Sequence, residues 1–260
     1  MIDNDPRPEP RLTAELLWTE RYPSASLLFC AGSVVRGESF PSSDLDVVVL
    51  FDHVDHAWRE SFHFQRWPVE VFAHDPGTLA YFVEQDCASG RPALAQMISE
   101  ALVIPMETPT SRAIQAWARG VLAARPEAPP ATSLAADRYW LTDLLDDFRD
   151  DRAPTELRAI ACKLYPLACN FVLKTRGHWL GSGKTLPRLV ARADPDFGQL
   201  LEAAFATFFK TEDRTGVLHA VQRMLEPFGG ELFDGFRADA PASSRRVTSP
   251  VPWSQPEPSH

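Results

Sequence analysis

Apolar positions along this chain follow two regimes. Across residues 10–125, short runs of strand character alternate with stretches of helical spacing. Past the proline-rich break Ala124-Arg125-Pro126-Glu127-Ala128-Pro129-Pro130, apolar positions recur at helical spacing alone. The first regime opens with Leu12, Leu16 and Leu17 on one face of a helix that starts near Thr13 and stops at Pro23. Residues 27–30 form a short apolar run that ends at Ala31-Gly32-Ser33. Residues 44–51, Asp-Leu-Asp-Val-Val-Val-Leu-Phe, form a β-branched run of the kind found in an inner strand covered on both faces. Residues 58–65 alternate, Arg66-Trp67-Pro68 reads as a turn, and residues 69–73 complete a hairpin. A helix over 76–89 is expected to bury Leu79, Phe82 and Val83. A short helix follows Pro92, residues 101–104 make another strand, and a helix over 109–124 turns Ile114, Trp117, Val121 and Leu122 inward. Residues 134–149, 155–174, 186–193, 197–209 and 216–228 then read as a helical bundle. The expected fold class is α+β, with one domain over 10–125, a helical domain over 131–237, and a proline- and serine-rich tail over 238–260 that buries little and is expected to be disordered.

The chemistry concentrates between the two apolar runs. Gly32 lets the backbone come close to another group, and Ser33 offers a hydroxyl and an N–H. Asp44 and Asp46 are two residues apart, so on a strand both carboxylates leave one face with Cα atoms roughly 6.6 Å apart. Two like charges about 4 Å apart repel by about 4 kcal/mol at an effective dielectric of 20, so converging oxygens there call for a cation or a shared proton. Glu70 interrupts the apolar Val69-Glu-Val-Phe-Ala73 strand, where an ionised group needs a partner.

Gly32-Ser33, ten intervening residues and Asp44-Leu45-Asp46 resemble the hG[GS]…DhD signature of the DNA-polymerase-β-like nucleotidyltransferase superfamily. Among its branches the chain is most similar to the bacterial aminoglycoside and lincosamide nucleotidyltransferases. The motif covers about a tenth of the chain. The resemblance implies a mixed β-sheet with flanking helices, followed by a helical C-terminal domain that closes over the site and adds acceptor contacts. It further implies in-line transfer of a nucleoside monophosphate, AMP from ATP or another NTP, to a hydroxyl of a small, antibiotic-like acceptor. Asp44 and Asp46 would hold two Mg²⁺ ions, and Glu70 would complete the metal set or take the proton. Gly32, Ser33 and, in a secondary role, Arg36 would bind phosphates. Lys184, in a flexible linker between helices, and Arg188 would reach the triphosphate from the second domain. A protein or RNA acceptor, as in toxin–antitoxin pairs, and a catalytically inactive binding homologue are the alternatives. Monomers and homodimers both occur among the resembled enzymes.

Charge and composition narrow the partners. The 260-residue chain carries a formal net charge of −9, which disfavours an extended nucleic-acid surface and suits a cationic acceptor. Asp143 and Asp147, four apart on one helix face, are the acceptor-side candidates. Cys30, Cys87, Cys162 and Cys169 form no CxxC pair and read as buried free thiols of a reducing compartment. With no apolar run of membrane-spanning length and no signal-peptide pattern, a cytoplasmic protein without membrane contact is expected. Two decoys are set aside. Asp52-His53-Val54-Asp55-His56 is a polar turn after a strand, and Gly181-Ser-Gly-Lys-Thr185 lacks the P-loop's leading glycine, since His178 stands there.

Overall fold

A computed structural model describes residues 7–244; Trp253 and the rest of the expected tail from residue 245 onward lie outside the described residues, as do residues 1–6. Helix α1 (Pro10–Arg21) precedes strands β1 (Leu27–Ala31), β2 (Leu45–Leu50), β3 (Trp58–Phe64) and β4 (Trp67–His74). Then come α2 (Pro76–Ala88), α3 (Ala93–Glu100), β5 (Leu102–Ile104) and α4 (Pro109–Ala123). The five strands form one mixed sheet in the order β3-β4-β2-β1-β5, in which β2 and β4 run parallel and the other pairs antiparallel.

The sequence pattern explains the order. The apolar β1, and β2, apolar but for Asp46, are buried on both faces, whereas the alternating β3 occupies an edge and is half exposed. Its hairpin to β4 closes through Gln65 and Arg66, both with positive φ (46° and 70°), the geometry that matches the right-handed twist of paired strands. On one face, Leu45, Val47 and Val49 of β2 pack with Val69 and Val71 of β4 and with Ala14 and Leu17 of α1. On the other, Phe29, Val48 and Leu50 pack with Leu79, Val83, Leu94, Ile98 and Ala118 of α2, α3 and α4. Each fully buried valine or phenylalanine there contributes about 1.5–3 kcal/mol, so this two-sided core is what fixes the register of β2.

Several helix faces depart from the hydropathy reading. In α1 the buried line is Thr13, Ala14 and Leu17, while Leu12 is 49% exposed. Small Ala14 lets the helix approach the sheet, and Thr13 hides its hydroxyl by donating to the Glu9 carbonyl at 3.1 Å. Phe82 of α2 stays largely exposed, edge-on to the buried His74 ring. In α4 the buried residues are Ser111, Gln115 and Ala118, and Trp117 is 40% exposed. Ser111 is satisfied in a capping box with Thr108. Gln115 Nε2 donates to the carbonyls of Ile98 and Ala101 at 3.2 and 3.0 Å, which ties α4 to the end of α3. Polar side chains thus face inward where the backbone supplies their partners.

The remaining helices are α5 (Ala131–Arg149), α6 (Pro154–Thr175), α7 (Leu186–Ala193), α8 (Pro195–Thr211) and α9 (Thr215–Leu225). The chain divides into two compact units. One comprises the chain up to Ala128 with Cys169–Gln199; the other comprises Pro129–Ala168 with the chain from Leu200. The segment 169–199, which the sequence grouped with the helical domain, is therefore counted with the sheet. Within the second unit Phe148 meets Phe208 with ring centroids 4.8 Å apart, and Tyr165 meets Phe205 at 5.0 Å. Arg138 donates to the carbonyls of Gly229 and Gly230, and Tyr139 stacks on Phe236, so residues after α9 fold back along α5. Residues 242–244, within the expected tail, form a 3-10 turn. None of the four cysteines forms a disulfide; Cys30 and Cys169 are buried, but Cys87 is half-buried and Cys162 exposed, contrary to expectation. Among the described residues no helix is long and apolar enough to cross a membrane.

Gln115→Ala should lower unfolding free energy by about 1–3 kcal/mol, because it strips donors from two carbonyls in a dry setting; Trp117→Ala, at an exposed position, should cost less. Urea unfolding followed by circular dichroism measures both.

Candidate active site

Asp44 lies just before β2 and Asp46 is its second residue. The period of two puts Asp46 on the same face as Val48 and Leu50, further along the strand. The parallel ladder pairs Asp46 with Glu70 on β4, and Phe72 follows Glu70 on that face. One ligand oxygen from each of Asp44, Asp46 and Glu70 lies within 4.8 Å of the others, and all three residues are half-buried. Among the described residues this is the one such cluster of three or more His, Cys, Asp or Glu side chains; the Asp52 to His56 turn forms none.

Gly32 closes the other side. It adopts φ +93°, and a Cβ there would sit 2.5 Å from Asp46 Oδ2. The turn after β1 and the carboxylate of β2 thus occupy adjoining space that a larger residue would claim. The Ser33 hydroxyl pairs with that of Ser43 at 3.0 Å, and Ser43 Oγ also accepts the Phe40 N–H at 2.9 Å, which pins the two ends of the intervening loop together.

Burial, and after it the negative charges of Asp44 and Glu70, push the Asp46 carboxyl up to about 6; the charges of Arg36 and Lys184 act in the opposite direction. Of the residues expected to contact phosphate, Arg36 bonds to Glu100 and Glu38, Arg188 bonds to Glu38 at 2.7 Å, and Lys184 stands on an exposed 3-10 turn, Gly183–Thr185. Within the segment expected to be a linker, several backbone groups have specific partners. Ser182 and Thr185 form a capping box, the Gly181 N–H donates to Asn170 Oδ1 at 3.0 Å, and a Cβ on Gly181 would meet Leu189 Cδ1 at 2.6 Å. Asp143 and Asp147 lie in the second unit, where the Arg152 guanidinium bonds Asp147.

The sequence reading missed two residues at this site. Arg59 of β3 donates to Glu70 Oε2 at 2.7 Å, with its guanidinium 4.9 Å from the Phe72 ring centre. The hairpin register was the available signal, since a diagonal cross-strand pair lies within reach of long side chains. Glu38 had none, because its partner Arg188 is 150 residues away.

Three oxygen donors, one of them a carboxyl raised first by burial and then by its acidic neighbours, fit a hard divalent cation such as Mg²⁺ or Mn²⁺. The linkage has a definite sign. With its folded value raised from about 4 to about 6, Asp46 binds more protons folded than unfolded, so metal-free stability falls as pH rises across that window. A cation needs the ionised triad, so Mn²⁺ or Mg²⁺ should raise the melting temperature more at pH 7.5 than at pH 5, in thermal melts with and without metal. Asp46→Asn should stabilise the metal-free protein at pH 7.5 and remove the metal effect. Gly32→Ala should cost about 1–3 kcal/mol for the backbone strain alone and displace Asp46, read as lower unfolding free energy and a lost metal shift.

Residues 18–80 match the family described as nucleotidyltransferase domain, a span that contains Gly32, Ser33, Asp44, Asp46 and Glu70. Among solved structures, a nucleotidyltransferase-like protein from Exiguobacterium sibiricum 255-15 is similar at 13% identity and a TM-score of 0.45, over 84% of this chain and 74% of its own. No protein of curated function matches the chain. Residues 18–80 thus carry a nucleotidyltransferase domain.

Proposed function

We propose that this chain is a nucleotidyltransferase that transfers a nucleoside monophosphate, AMP from ATP, to a hydroxyl of a small cationic acceptor of the antibiotic kind, with magnesium as its metal. The observation that carries the reading is the meeting of Asp44, Asp46 and Glu70 beside the Gly32 turn. Those three carboxylates would hold the cation, which supplies charge neutralisation to the triphosphate and acidity to the acceptor hydroxyl. Gly32 keeps the turn slim enough for phosphate to approach, and Ser33 adds a hydroxyl. Arg36, Lys184 and Arg188 offer positive charge to the leaving pyrophosphate.

In the transfer, the acceptor oxygen forms its bond to the α-phosphorus as the bond from that phosphorus to the β-bridging oxygen breaks, with the electron pair leaving on pyrophosphate. Glu70 would complete the metal set or accept the hydroxyl proton. Arg59, bonded to one Glu70 oxygen, fixes the orientation of that carboxylate. The net charge of −9 favours a cationic acceptor. On the second unit Asp147 is already bonded by Arg152, which leaves Asp143 as the stronger acceptor candidate.

Incubation with α-labelled ATP and Mg²⁺ against a panel of aminoglycosides, lincosamides, RNA and proteins tests the assignment. Label should appear on a cationic small molecule, and Asp44→Asn or Asp46→Asn should reduce transfer by at least about a hundredfold without loss of fold. Label on RNA or protein would replace the acceptor class. Transfer to nothing, with no nucleotide bound, would make the chain a binding homologue.

A further inference from the structure

The loop after the Gly32 turn carries a charge that the chemistry above does not use. Its backbone folds back: the Glu38 N–H donates to the Ser33 carbonyl at 2.9 Å and the Gly37 N–H to that of Val34 at 3.3 Å. This brings the Glu38 side chain between two guanidinium groups. One oxygen, Oε2, accepts from Arg188 Nη1 at 2.7 Å and from Arg36 Nε at 3.4 Å. Arg36 also bonds Glu100 at the end of α3. Arg36 comes from the loop and Arg188 from α7, so what joins them at one point is the carboxylate oxygen they share. In charge and in hydrogen-bond demand, an oxygen held by two guanidinium groups resembles a non-bridging phosphate oxygen.

We propose that Glu38 is an internal stand-in for the terminal phosphates of the nucleotide: in the free protein it draws Arg36 and Arg188 together, and an incoming polyphosphate displaces it and takes over both. The inference rests on the nucleotidyltransferase reading of the site, and its geometry supports it in three ways. The backbone bond to Ser33 ties Glu38 to the turn expected to carry phosphate. A polyphosphate arriving at the two arginines would meet repulsion from Glu38, which swinging that side chain away relieves. All three side chains are more than a third exposed, at 38, 44 and 48% for Arg36, Glu38 and Arg188, and exposed pairs exchange partners readily. Glu38 therefore organises the two arginines at the expense of affinity for the phosphate they are there to bind.

The test is calorimetric titration of full-length protein with inorganic tripolyphosphate and with MgATP at low ionic strength. Glu38→Gln should tighten tripolyphosphate binding by about three- to fivefold, the scale of one exposed ion pair, and the gain should shrink in high salt. Glu38→Ala should show the same gain, which guards against an effect peculiar to the amide. Arg188→Gln should weaken binding, and the gain should vanish when it is combined with Glu38→Gln. Unchanged or weaker binding by both Glu38 variants, in a protein whose wild type binds MgATP and transfers label, would overturn the stand-in role and leave the enzyme reading intact. Failure of every variant to bind polyphosphate would remove both.

Discussion

Three carboxylates held closer than their charges favour are the constraint on which this structure turns. The repulsion is imposed by the backbone. The parallel ladder sets Glu70 against Asp46, the strand period sets Asp44 beside them, and the two-sided apolar core prevents β2 from sliding away. Gly32 then closes the space on the open side, where even a methyl group would strike Asp46. A strand so heavily buried stabilises enough to hold an unfavourable charge cluster at its mouth, the arrangement expected where function opposes stability.

Around that cluster the sheet unit distributes its counter-charges by reach. Arg59 answers Glu70 from the neighbouring strand, while Arg36 and Lys184 act on Asp46 from loop and turn. Arg36 and Arg188 are themselves answered by Glu38 and Glu100. The result is an inner ring of acids, a ring of bases around it, and acids again at the rim. Such alternation lets charged side chains be ordered in the free protein.

Much of this was legible in the sequence because it depends on local periods. A glycine after one apolar run, two aspartates at strand spacing before another, and a lone glutamate inside a third are enough to bring Asp44, Asp46 and Glu70 together once the strands pair. What escaped was non-local or ran against hydropathy. Gln115 faces inward and Trp117 outward because two carbonyls at the end of α3 and at Ala101 want donors, which no apolar count reveals. Gly181 to Thr185 reads as a loose connector, yet Asn170 and Leu189 close around Gly181, while residues 182–185 stay exposed. The Glu38 to Arg188 contact spans 150 residues and depends on how the chain returns to the sheet.

That return has a consequence for how the protein is made. The sheet-bearing unit is discontinuous: it leaves off at Ala128 and is completed by Cys169–Gln199. On the ribosome, the three carboxylates emerge first, together with Arg36 and Arg59, and Lys184 and Arg188 follow only after part of the other unit has been threaded out. A nascent chain paused in that interval would hold the three carboxylates with only the earlier part of their cationic surroundings in place.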